Sequence, residues 1–258
     1  MPHIDSHPAG GFCWFELGTT DQDAAKTFYS SLFGWTPVDN PMGPSFTYTI
    51  FKLEGRDAAA AYTLMPDMVA NGVPPHWMVY VAADSADASA QKAAELGGKV
   101  MAPPMDVMDF GRMAILQDPA GAAISVWQPG TNKGTQITGE PGTACWADLN
   151  TPDRDTAVQF YGGLFGWTFS KGEGNNYLHI RNGGEMIGGV PPAENRDPHA
   201  PPHWLLYFLV SDCDATTAQA KKLGANILFG PMTMDKVGRM AFIADPQGAV
   251  FALYQPVH

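Results

Sequence analysis

One stretch of the chain occurs twice, and any fold assigned to it must accommodate the repetition. Residues 13–35 read CWFELGTTDQDAAKTFYSSLFGW, and residues 145–167 read CWADLNTPDRDTAVQFYGGLFGW. Trp14, Phe28 and Trp35 meet Trp146, Phe160 and Trp167 at a constant offset of 132 residues. Three more pairs follow in the same order. PPHWMVYV at 74–81 matches PPHWLLYFLV at 201–210, GRMA recurs at 111–114 and 238–241, and DPAGAAISVWQP at 118–129 matches DPQGAVFALYQP at 245–256. The repeat predicts two domains, 11–128 and 142–256. The polar, Gly- and Thr-rich segment 129–141 is the linker between them, and residues 1–10 are a flexible lead-in.

Each half divides again. Residues 12–18 have strand length, Asp21 is an N-cap, and Ala25, Phe28, Tyr29, Leu32 and Phe33 form one apolar helical stripe that Gly34 ends. Strands are expected near 36–38, over 46–53 and over 58–64, with a turn at 54–56. After the turn-rich stretch 66–75 the order recurs: a strand at 77–82, a helix capped by Asp84 or Ser85, then strands near 99–102, 111–117 and 123–128. The turn at Asp118-Pro119-Ala120-Gly121 joins the last two. The chain therefore reads as an α+β protein of four βαβββ modules, paired into two domains. Curled mixed sheets would form half-barrels with concave cavities, and the helices would cover the outside. The 28 glycines and 22 prolines suit so many hairpins.

Composition narrows the function classes. A net charge of −11 without a Lys/Arg cluster argues against nucleic acid or an anionic membrane as partner. No stretch approaches the length of a membrane span, and the N-terminus lacks the basic start and apolar run of a signal peptide. Three cysteines do not make a disulfide framework. Cys13 and Cys145 precede Trp14 and Trp146 on strands, so strict alternation places them on the opposite face as buried free thiols. The expected setting is reducing and cytoplasmic, and the expected state a monomer or homodimer. No nucleophile elbow, phosphate-binding glycine loop or CxxC pair is present.

The strand-then-D…FY…LFGW units, the Leu-Gly helix ends and the two DPxG turns resemble the vicinal oxygen chelate superfamily of glyoxalase I, bleomycin-resistance proteins and extradiol dioxygenases. The resemblance runs from about residue 11 to 256 and is nearest the tandem glyoxalase-like branch. It implies a metal held by residues on the first strand of each module and by a Glu on the last. In this sequence those positions carry Trp14, Met78 and Ser125 in one half, and Trp146, Leu205 and Ala252 in the other. None is a ligand type suited to Zn, Ni, Fe or Mn. No cofactor is therefore expected, and a divalent metal at a relocated site built from His76 and Glu16, or from His179, Glu185 and His203, is the alternative.

The resemblance also implies which strand faces point into the cavities. Glu16, His76, Asp148 and His203 are the candidate acid–base groups. Trp14, Met78, Tyr80, Arg112, Trp127, Trp146, His179, Tyr207, Arg239 and Tyr254 are the candidate ligand contacts. Against these stand structural roles: the carboxylates bonding backbone or tyrosine hydroxyls, the histidines satisfying a carbonyl, and the arginines making ion pairs. The halves also differ, since His179 stands where the first has Ile50. Three functional readings follow. The leading one is a protein that binds a small hydrophobic or aromatic molecule, for sequestration, resistance or metal-independent acid–base conversion. The second is a metal-dependent glyoxalase-type lyase or isomerase acting on reactive carbonyl compounds. The third is a non-catalytic interaction protein.

Overall fold

The computed structural model describes residues 4–44, 46–172 and 176–257. The first half contains β1 (Phe12–Thr19), α1 (Gln22–Phe33), β2 (Thr36–Gly43), β3 (Phe46–Leu53), β4 (Arg56–Thr63), a short α2 (Pro66–Ala70), β5 (His76–Ala82), α3 (Ala86–Glu95), β6 (Lys99–Val107), β7 (Gly111–Gln117) and β8 (Ala123–Pro129). The second contains β9 (Ala144–Asn150), α4 (Arg154–Phe165), β10 (Thr168–Lys171), β11 (Leu178–Asn182), β12 (Glu185–Val190), β13 (His203–Leu209), α5 (Cys213–Lys222), β14 (Asn226–Met234), β15 (Gly238–Ala244) and β16 (Val250–Pro256). Each half forms one eight-stranded mixed sheet, in the orders β2-β3-β4-β1-β5-β8-β7-β6 and β10-β11-β12-β9-β13-β16-β15-β14. The two modules of a half join through the antiparallel pairs β1–β5 and β9–β13. No helix among the described residues is long and apolar enough to cross a membrane.

Local chemistry explains the elements. Asp21 and Asp153 cap α1 and α4 by accepting from the backbone N–H groups of Ala24 and Thr156, and Gly34 and Gly166 end these helices at φ 73° and 70°. Ser85, rather than Asp84, caps α3. Three of the four edge strands carry proline, Pro37 and Pro41 on β2, Pro103 and Pro104 on β6, and Pro231 on β14, which blunts them against pairing with another chain.

The helices do lie on the convex sides of the sheets, but these sides face each other. Helix α1 meets α5, α3 meets α4, and β5 touches β13 and β16 directly. One core runs through both halves, joining Tyr29, Phe33, Trp35 and Trp77 to Phe208 and Phe251. The repeated FY and DPxG motifs form reciprocal ties across this seam. Tyr29 donates to Asp245 at 2.9 Å and Tyr161 donates to Asp118 at 3.2 Å, while each hydroxyl accepts from an indole, Trp77 or Trp204, at 3.1 Å. Trp35 and Trp167 are core, and their indoles donate to the carbonyls of Gly142 and Gly10 just before the other half's first strand.

One expectation about the connecting segments needs correction. From residue 4 onward the lead-in is bound: the Ile4 N–H donates to the Gln136 carbonyl, His7 bonds the Thr135 carbonyl, and Gly10 pairs with Ala82. The 129–141 segment is packed as well. Thr135 and Gln136 donate to the carbonyls of Cys13 and Asp57, and Ile137 is buried. Spaced apolar residues are the usual mark of packing, and a segment anchored by backbone bonds and a single Ile lacks them.

Candidate functional site

The concave face of each sheet is built from alternate residues of its strands. On β1, Phe15 and Leu17 enter the shared core, so Trp14 and Glu16 face the hollow. On β5, Trp77, Val79 and Val81 go to the core and Met78 and Tyr80 to the hollow. Trp127 and Met113 complete that wall from β8 and β7. The second half repeats it with Trp146, Leu205, Tyr207, Met240 and Tyr254.

Each hollow centres on one carboxylate. Both oxygens of Glu16 accept from tyrosines, Tyr48 at 2.7 Å and Tyr80 at 2.8 Å, and the Trp14 indole donates to the Tyr48 hydroxyl at 2.8 Å. Asp148 accepts from Tyr177 at 2.5 Å, from Tyr207 at 2.9 Å and from the Trp146 indole at 2.9 Å, and that indole also lies 2.8 Å from the Tyr177 hydroxyl. Burial raises the pKa of both carboxylates, against the opposing pull of these hydrogen bonds. Burial and the adjacent carboxylate raise the tyrosines too, so the phenols stay protonated as donors. The result is a carboxylate of elevated basicity under two fixed O–H groups, against an aromatic wall. This set can accept a proton from a bound molecule and hydrogen-bond its oxygens.

Tyr48 and Tyr177 were missed from sequence. The signal was present: they match at the same offset as Ile50 and His179, and each stands two residues before its partner in that pair. His76 and His203 behave differently from the carboxylates. Each turns Nδ1 to the carbonyl of the proline two residues upstream, Pro74 at 2.9 Å and Pro201 at 2.8 Å. His76 stands opposite Gly18, whereas Glu16 stands opposite Met78. Burial lowers the His76 pKa. Arg112 and Arg239 lie on the convex side, since their neighbours Met113 and Met240 line the hollows. Each forms a bidentate pair with a first-turn aspartate of the adjacent helix, Asp87 or Asp214, and Arg112 also reaches Asp106 at 2.8 Å. Trp127 donates to the Asn132 carbonyl at 3.0 Å, and Tyr254 to that of Val237 at 2.8 Å. His179 lies on the concave face beside Trp146 and Tyr177, with ring centroids 6.3 and 5.0 Å away.

The cysteines depart from the expected face. Register shifts between Phe12 and Trp14, and between Ala144 and Trp146 opposite Tyr207–Phe208, leave Cys13 and Cys145 as bulge residues. A bulge resets alternation, so both thiols lie with the hollow clusters rather than opposite the tryptophans. They are free, and burial raises both thiols, Cys145 to about 12.

The residues at the family's metal positions converge but carry the wrong chemistry. Trp14 and Ser125 both flank Tyr80 on neighbouring strands, and Ala252 flanks Tyr207. An indole, a serine hydroxyl and a methyl are not a divalent-ion donor set. Among the described residues no three His, Cys, Asp or Glu side chains stand together to hold an ion. Two open clefts of ≈ 430 Å³ lie elsewhere, at the N-termini of α4 and α1. They are ringed by Asp153 and Asp155, or by Asp21, Asp23 and Asp39, and lack aromatic walls.

The family model of the Glyoxalase/Bleomycin resistance protein/Dioxygenase superfamily matches residues 11–126 and 143–253. The chain is 41% identical over 262 residues to CFP32 of Mycobacterium tuberculosis, provisionally named a glyoxylase, covering 99% of this chain and 98% of that protein. It is 36% identical over 263 residues to the anthracycline biosynthesis protein DnrV of Streptomyces peucetius, covering 95% and 93%. Among solved structures, the Mn(II)-bound glyoxalase of Novosphingobium aromaticivorans shares the fold with a TM-score of 0.67 at 19% identity, over 97% of this chain and 83% of that one.

Proposed function

Because the chain belongs to the glyoxalase/bleomycin resistance protein/dioxygenase superfamily through both of its halves, we propose that it binds a small, planar organic molecule on a concave, tryptophan-walled face, with a buried carboxylate rather than a metal as the reactive group. The observation that carries this reading is the twice-built network of one carboxylate, two tyrosine hydroxyls and an indole N–H. It occupies the region where the family's metal donors would converge. Stacking surfaces with a few fixed polar groups suit an aromatic ligand bearing oxygen substituents. The names of the relatives support the same chemistry, since anthracyclines are planar, oxygenated aromatics and glyoxylase substrates are carbonyl compounds.

In this reading the aromatic wall sets the plane of the ligand. The tyrosine hydroxyls donate to its oxygens, and Glu16 or Asp148 takes up a proton where one is released. No step needs a bound ion. The test is a titration of intrinsic tryptophan fluorescence with hydroxylated and carbonyl-bearing aromatic compounds, on the wild type and on Trp14→Ala and Trp146→Ala. At least one substitution is expected to abolish quenching, and unchanged binding in both overturns the placement. Loss of any associated turnover in Glu16→Gln or Asp148→Asn, with binding retained, separates the acid–base role from binding alone.

A further inference from the structure

We infer that the second hollow is the working site, and that His179 there selects ligands carrying an uncharged aromatic hydroxyl by accepting its hydrogen bond. This rests on the concave-face reading above and decides between its two copies. The first half covers its tryptophans more fully: Trp14 and Trp127 keep only 5% and 8% of their surface exposed, while Tyr80 and Tyr207 are buried alike at 3% and 7%. In the second, Trp146 and Tyr254 at the matching positions are half-buried and open to an incoming ring.

A paired change deepens the second hollow. Glu16 stands opposite Ala60 across β1 and β4, and Asp148 opposite Gly189 across β9 and β12. The shorter carboxylate is reached only if Tyr177 sinks toward the sheet, and a methyl group on residue 189 would stand 1.8 Å from its hydroxyl. Loss of one methylene and one methyl lowers the floor, and both losses fall beneath His179, which pairs with Gly189.

His179 supplies the polar group that the first half lacks, since Ile50 stands in its place. Its neighbour Ile180 is fully buried in the shared core, so the imidazole faces the hollow, packed on Trp146 and Tyr177. Its Nδ1 is buried and has no hydrogen-bond partner among the described residues. Burial, reinforced by Arg181, lowers its pKa, so the ring is neutral near pH 7 and offers one unprotonated nitrogen. A buried acceptor without a partner is costly, and a ligand O–H satisfies it. Charge excludes an anionic ligand. Asp148 is adjacent, Arg239 is held by Asp214 on the convex side, and Arg181 is tied to Ser170 and the Gly184 carbonyl.

The test is calorimetric titration of the full chain with 2-naphthol and with 2-methoxynaphthalene, which are matched in shape and uncharged at neutral pH. The expected result is one site per chain and a preference for the hydroxyl compound of about tenfold, the effect of one net hydrogen bond. His179→Phe is expected to erase the preference, as is His179→Ile, which copies the first half and guards against a packing artefact of the larger ring. Two equivalent sites, or binding lost in Trp14→Ala and retained with full preference in both His179 variants, overturns the inference while leaving the concave-face reading intact. Failure of both compounds to bind also overturns it, and leaves the broader reading to the fluorescence titration.

Discussion

The two hollows share a plan and differ at four positions, among others. Where the first half has Glu16, Ala60, Ile50 and Ser125, the second has Asp148, Gly189, His179 and Ala252. Both keep the carboxylate under two phenols and beside an indole. In the first half, however, the longer Glu stands opposite Ala60, Trp14 and Trp127 are buried in an apolar cluster, and the Ser125 hydroxyl is buried with no partner among the described residues. In the second, Asp and Gly bring Tyr177 down to the sheet, and the unpartnered polar atom is an imidazole nitrogen on the hollow's wall. Duplication thus supplied two copies of one network. The copies then diverged by a single carbon at the carboxylate and at the residue facing it across the sheet.

The convex side teaches the reverse. There the halves are nearly interchangeable, with Tyr29–Asp245–Trp77 mirrored by Tyr161–Asp118–Trp204. Burial raises Asp245 and Asp118, and three backbone N–H groups oppose it on the first and two on the second by direct bonds at Oδ1. A surface that both halves must share holds both to the same residues, whereas two separate hollows were free to diverge.

The largest effect is expected where this divergence is tightest. Gly189→Ala forces Tyr177 off Asp148, and overpacking together with the loss of a charged hydrogen bond should cost about 3 kcal/mol in chemical denaturation. Ala60→Gly in the first half should cost about 1 kcal/mol or less. If the carboxylate length and the Cβ are coupled as argued, Gly189→Ala combined with Asp148→Glu will be less destabilised than the sum of the two single changes by about 1 kcal/mol or more. Strict additivity would break the comparison.

An intermediate effect tests the symmetry of the seam. Tyr29→Phe and Tyr161→Phe each remove a buried donor to a carboxylate and an acceptor for an indole, and each should cost about 2 kcal/mol. Near-equal losses support interchangeable ties. A loss in only one variant would mean that the halves are held together unequally. The smallest effect concerns the orphaned hydroxyl. Ser125→Ala, which copies Ala252, should leave stability unchanged or raise it by up to about 1 kcal/mol in the same measurement. A clear loss would show that Ser125 has a partner, and that this position separates the two hollows more than its side chain suggests.

Much of the fold was legible because it follows from local chemistry. The aspartate caps, the glycine stops, the stripe from Ala25 to Phe33 and the DPxG turns each depend on residues within a few positions of one another. The family resemblance then supplied the pairing of modules. The site was only half legible. Glu16, Asp148, Tyr80 and Tyr207 fall on the right face by simple alternation. Alternation failed at Cys13 and Cys145, because a bulge is a property of two strands and leaves no mark in one. Tyr48 and Tyr177 come from segments remote in sequence from the carboxylates, and only the offset they share with Ile50 and His179 marks them. The prolines before His76 and His203 made those histidines conspicuous, yet it is a proline carbonyl that each Nδ1 meets.

By itself, then, the sequence determined that this protein is two copies of one doubled module, with a tryptophan and a carboxylate two residues apart on the opening strand of each copy. Periodicity and capping are local, and they survive in a string of letters. Only the tertiary structure decided that the repeated tyrosines of the helices tie the two halves together, and that the tyrosines of β3 and of the residue before β11 close over the carboxylates. It alone decided that the Nδ1 of His179, unlike that of His76 or His203, is buried with no partner among the described residues. Those outcomes depend on which strands become neighbours and on how far a side chain reaches across them, down to the one carbon that separates Glu16 from Asp148.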